Sequence, residues 1–92
     1  MAKASRLLID RYFNTQNIPD DSSTYVVMYT ADGKKPPKEF YQHLARLKNR
    51  GLIEKFVPGS VICRGRKTAI VIKMIAERYS IRTKVFKVVE VV

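Results

Sequence analysis

The chain has 92 residues, 46% of them hydrophobic and 28% charged, with 18 Lys and Arg against 8 Asp and Glu for a net charge of +10. These proportions exclude a disordered tail, and no apolar run approaches the roughly 20 residues of a membrane span, so one folded core is expected. The single cysteine, Cys63, excludes an internal disulfide and points to a reducing, cytoplasmic setting.

The elements follow in chain order. Leu8, Ile9, Tyr12 and Phe13 share one stripe at helical spacing, predicting a helix over residues 4–14, and the turn-rich NIPDDSS closes it. Residues 1–23 therefore read as a helix and linker ahead of a domain over 24–92. TYVVMYT (24–30) is β-branched and aromatic throughout, predicting a strand buried on both faces. ADGKKPP turns the chain into a helix whose apolar face is Phe40, Leu44 and Leu47, with Gly51 as its stop. Within that helix His43 is expected to be partly exposed.

Residues 60–64 predict a second strand. From Lys67 to Tyr79 the pattern predicts a helix with only Lys67, Lys73 and Glu77 as a polar strip, a surface that a sheet and a partner subunit would bury between them. A last strand is expected in KVFKVVEVV. The fold class is thus α/β, two-layer, in the order α-β-α-β-α-β.

Charge is unevenly placed along this order. Residues 1–24 are net neutral, and residues 25–92 carry the whole excess, 15 cations against five acids. Arg64, Arg66 and Lys67 have no acidic neighbour in sequence. The glycine beside them and the helix that follows present backbone N–H groups and a positive dipole end, a phosphate-binding arrangement. Gly33-Lys34-Lys35 precedes the other helix in the same way. With the strands at 24–30 and 60–64 adjacent and parallel, both turns leave the same end of the sheet and their cations converge on one platform. Lys38, Arg46, Lys48, Arg50, Arg82, Lys84 and Lys87 either extend that patch or are ordinary helix and strand surface. Tyr25, Tyr29, Tyr41 and Tyr79 read as core or interface before base-stacking groups.

Gly33-Lys34-Lys35-Pro36 after a strand, followed by Arg64-Gly65-Arg66 at the head of a long helix, resembles the Alba family of small archaeal nucleic-acid-binding proteins over about residues 24–91. The resemblance implies a homodimer that coats double-stranded DNA, binds RNA as well, and is associated with the chromosome. It implies that Lys34 and Lys35, one of them acetylated, lie with Arg64, Gly65 and Arg66 on the nucleic-acid face, to which the helix start adds Lys67. It also implies that Tyr79 stands where the family carries an aromatic contact between dimers. The second strand of the family's terminal hairpin is missing, and the 1–23 helix is extra.

The expectation is sequence-tolerant binding of DNA or RNA with steep salt dependence, and neither enzyme activity nor a metal or cofactor. Three alternatives stand beside it, one of them a purely structural adaptor or viral assembly protein that self-associates through the apolar helix at 67–79. The C-terminal domain of translation initiation factor 3 has a similar element order, with ribosomal RNA as its partner. A small metal-dependent nuclease would use Asp32 from each subunit, although Asp32 has no acidic companion nearby.

Overall fold

The computed structural model describes residues 19–31, 33 and 35–90. The helix expected over 4–14, Asp32 and Lys34 lie outside the described residues. The described elements are β1 (Thr24–Thr30), α1 (Lys38–Asn49), β2 (Ile53–Val57), β3 (Ser60–Arg64), α2 (Arg66–Arg78) and β4 (Arg82–Lys87). They build a small α/β fold in which two helices lie on one four-stranded sheet of order β2-β3-β1-β4, every neighbouring pair antiparallel.

Two split β-α-β units interleave. β1-α1-β2 brackets β3, and β3-α2-β4 brackets β1, the arrangement of ferredoxin-like sheets. The expected order lacked β2, and this is the main correction. In LIEKFVPGSVICR a Pro-Gly turn separates two β-prone runs, so the passage forms a hairpin, Val57 opposite Ser60, where a single strand was expected. That extra strand reverses the direction of β3. It runs antiparallel to β1, whereas the parallel neighbour in the expectation would have followed a direct crossover.

Both helices pack on one face, so β1 is not buried on both sides as expected. Tyr25, Val27 and Tyr29 are buried, while Val26 is only partly covered and Met28 and Thr30 are exposed. The core joins those three to Phe40, Leu44 and Leu47 from α1 and to Ala69, Val71, Ile72, Ile75 and Ala76 from α2. Phe40 meets Tyr29 edge-to-face at 5.2 Å between ring centroids. Within one chain α2 buries Ala69, Val71, Ile72, Ile75 and Ala76, while Ile70 and Met74 are only partly covered.

Each helix ends in the same way. After α1, Leu52 N–H donates to Leu47 C=O (3.1 Å) and Gly51 N–H to Lys48 C=O (2.9 Å), with Gly51 at φ +78°. After α2, Ile81 N–H donates to Ala76 C=O (2.9 Å) and Ser80 N–H to Glu77 C=O (3.1 Å). This paired pattern closes the last carbonyls and needs a left-handed residue, which glycine supplies freely. At the second site that residue is Ser80, at φ +59°.

His43 is 1% exposed, contrary to expectation, because it shares the core-facing side of α1 with Leu44 and Leu47. Its Nε2 lies 3.4 Å from the Tyr79 hydroxyl. Burial pushes its pKa below 6.5, Arg46 adds to that effect, and Glu39 opposes it. Cys63 is fully buried, and burial pushes its thiol up to about 12, so it is a packing residue.

Two outcomes are expected. Ser80→Gly should relieve left-handed strain and raise stability by about 0.5–1 kcal/mol, read as a higher urea midpoint at unchanged slope. For His43 the unfolded chain binds the proton more tightly than the folded one. Stability is therefore full above pH 6.5 and falls as pH drops from there toward the folded-state pKa. His43→Gln should show a smaller loss than wild type between about pH 7.5 and 5.5 in urea titrations.

Candidate functional site

The two basic turns do not meet. Thr24 pairs with Arg64, so Arg64, Gly65 and Arg66 sit where β1 begins, while Gly33 and Lys35 follow its other end. The seven residues of β1 put about 20 Å between the two ends at ~3.3 Å per residue. The common platform expected from a parallel pairing is absent for this reason. Lys35 is exposed at its own end of the molecule.

The Arg-Gly-Arg turn already holds an anion of the chain's own. Arg66 N–H donates to Asp21 Oδ1 (3.1 Å), Lys67 N–H to Asp20 Oδ1 (3.0 Å), and Gly65 N–H to the Ser23 carbonyl (2.7 Å). The first amides of α2 are thus satisfied by two carboxylates more than 40 positions upstream, which also meet the positive end of the helix dipole. Tyr25 completes the clasp, its hydroxyl donating to Asp21 Oδ2 at 2.7 Å. That bond holds the Asp21 carboxyl below 3.8 against an opposing desolvation effect, with help from the Ser23 and Arg66 amides. The same bond raises the Tyr25 hydroxyl above 10.0.

The acids that answer these cations are therefore remote in sequence. Arg64 stands 3.6 Å from Glu54 on the neighbouring strand, with both side chains largely exposed. Tyr79 is also engaged within the chain, packed against the core with its hydroxyl at His43.

A different surface gathers cations and exposed apolar groups. On the sheet face away from the helices, register places Lys55, Ile62, Val26 and Phe86 in one row across the four strands. Val57, Ser60, Met28 and Lys84 form the next row. Arg64 beside Thr24 and Arg82 beside Thr30 close the two ends. The middle is apolar and open, with Met28 50%, Phe86 48% and Val57 42% exposed. Its border is basic, with Lys55 and Lys84 on the outer strands and Arg64 and Arg82 at the ends. Aside from Glu54, the acids of the described residues lie elsewhere: Asp20 and Asp21 in the clasp, Glu39 on α1, Glu77 on α2 and Glu90 beyond β4.

Arg82 and Lys84 read either as an extension of the turn patch or as ordinary strand surface, and Met28 as part of a strand buried on both faces. The period-2 alternation that marks an open face is silent when both faces of β1 carry apolar residues. Among the described residues no cluster of three His, Cys, Asp or Glu is placed to hold a metal ion, and no helix is long and apolar enough to cross a membrane.

Gly65 is the most constrained position of the clasp. Its φ is +94°, and a Cβ there would come within 2.8 Å of Asp20 Oδ1 and 3.3 Å of the Asp21 carbonyl. Gly65→Ala is expected to destabilise the fold by about 1–3 kcal/mol through left-handed strain and loss of the clasp, measured as a lower urea midpoint.

The chain matches no family model, no curated protein and no solved structure.

Proposed function

We propose that this protein binds nucleic acid, DNA or RNA, with little regard to sequence, through the open face of its sheet. The observation that carries the reading is the four-cation border around an exposed apolar centre, on a chain whose net charge is +10. A surplus of that size repels itself in a compact monomer and is compensated when polyanions bind. Lys and Arg at a border neutralise phosphates and release counterions, which gives affinity without base readout.

The uncharged polar groups on this face are Thr24, Thr30 and Ser60, short hydroxyls without the paired donor and acceptor of Asn or Gln that distinguish bases. Sequence tolerance follows. The Arg-Gly-Arg turn has a supporting part in this reading: its amides are engaged by Asp20 and Asp21, and of its side chains Arg64 joins the open face. The motifs shared with the Alba family enter as sources of positive charge, and the element order described above differs from the one that resemblance implies.

The test is a fluorescence-anisotropy titration of labelled oligonucleotides at about 50 and 200 mM salt. With four phosphates neutralised, the slope of log affinity against log salt should be about −3 on single strands and about −3.6 on duplex. Changing Lys55, Arg64, Arg82 and Lys84 together to Ala should lower affinity by about tenfold or more. Changing Lys34 and Lys35 to Ala should cost less. Equal binding by wild type and the fourfold variant would remove the open face from the function. Loss of self-association in Met28→Asp, with nucleic-acid affinity unchanged, would assign the face to a second copy of the chain.

A further inference from the structure

Resting on the reading above, we infer that the nucleic acid this face takes is single-stranded, with an unstacked base seated against Phe86 and Met28 beside Lys84. Phe86 pairs with Val26, and Lys84 pairs with Met28. Phe86 and Met28 are therefore diagonal neighbours on one face, within reach of each other's side chains. Lys84 stands two positions before Phe86 on the same strand and the same face, about 7 Å away along β4. An exposed ring, a flexible thioether and a cation thus sit together near the β4 edge.

Next to them lies a depression of about 370 Å³. Its lining includes Met28, Thr30, Gly59, Arg82, Thr83 and Lys84. With Tyr29 also in the lining, two cations and three hydroxyl-bearing residues surround Met28 and Gly59, a composition suited to a group with one apolar face and a charged edge. A nucleotide has both.

The choice between strand states follows from what each form exposes. A duplex presents phosphates and base edges, while its base faces are stacked inside. Laid over this sheet, it would bring charged phosphates onto Met28, Phe86, Ile62 and Val57, desolvating them against groups that cannot pair with them. A single strand can turn its bases toward the apolar middle and its phosphates toward the basic border. The middle is then covered rather than left in water, and the cations are used at the same time. Phe and Met offer contact area but no hydrogen-bond pattern, which preserves sequence tolerance.

The experiment compares single-stranded oligo(dT) and oligo(U), each about ten nucleotides, with a duplex of equal length, using the full chain. Single strands are expected to bind at least about tenfold more tightly than duplex. Phe86→Ala should lower single-strand affinity about 5- to 100-fold and leave duplex affinity within about twofold. Because Phe86 is 48% exposed, the variant is expected to keep its fold, checked by its circular dichroism melt. Phe86→Trp supplies an independent signature: its fluorescence should be quenched on single-strand binding and unchanged with duplex. Equal or tighter duplex binding overturns the single-strand inference while the broader function stands, and so does unchanged single-strand affinity in Phe86→Ala. Absence of binding to every oligonucleotide overturns the function as well.

Discussion

β1 lies between two antiparallel neighbours, and the other features of the molecule are referred to its pleat. Tyr25, Val27 and Tyr29 point to the side where both helices pack, so Val26, Met28 and Thr30 point to the side where neither does. Register carries the division across the sheet: Cys63, Val61 and Val85 join the first set, Ile62, Lys84 and Phe86 the second. A shift of one residue at either pairing would exchange the two sets and turn the core outward. The same antiparallel sense sends the two basic turns to opposite ends of the strand. Face and end are thus decided together by one pairing.

The second constraint is electrostatic. A helix that begins with Arg66 and Lys67 puts like charges at the positive end of its own dipole, an unfavourable start. Asp20 and Asp21 relieve it by accepting the amides of those two residues, and Tyr25 anchors Asp21 from β1. The clasp therefore ties the segment before β1 to the start of α2 and joins three parts of the chain at one end of the sheet. Gly65 is needed there because its backbone is left-handed and because a side chain would displace the carboxylate. A motif that reads as a phosphate cradle is, in the folded chain, a socket for internal anions.

Most elements were legible because their signals are local. The strands at 24–30 and 60–64 and the helices near 38–49 and 66–78 stand where apolar spacing, a proline start and a glycine stop placed them. β2 was the local signal passed over: Pro58-Gly59 between two β-prone runs is a hairpin mark, obscured by Glu54 and Lys55 in the first run and by the bulge between Ile53 and Lys55. His43 was misplaced for a different reason. A histidine beside Leu44 fits either side of a helix boundary, and only the packing of α1 onto the sheet makes its position interior.

From composition and periodicity alone came a single basic α/β chain with its positive surplus after residue 24, the two long helices and the strands that flank them, all properties that depend on neighbours a few positions apart. Strand direction, the side of the sheet left open, and the pairing of Asp20 and Asp21 with amides more than 40 residues away belong to the tertiary structure. Each of these is a relation between segments that become neighbours only when the chain closes on itself. A short hairpin is enough to reverse β3, and with it the end of the sheet at which Arg64, Arg66 and Lys67 come to stand.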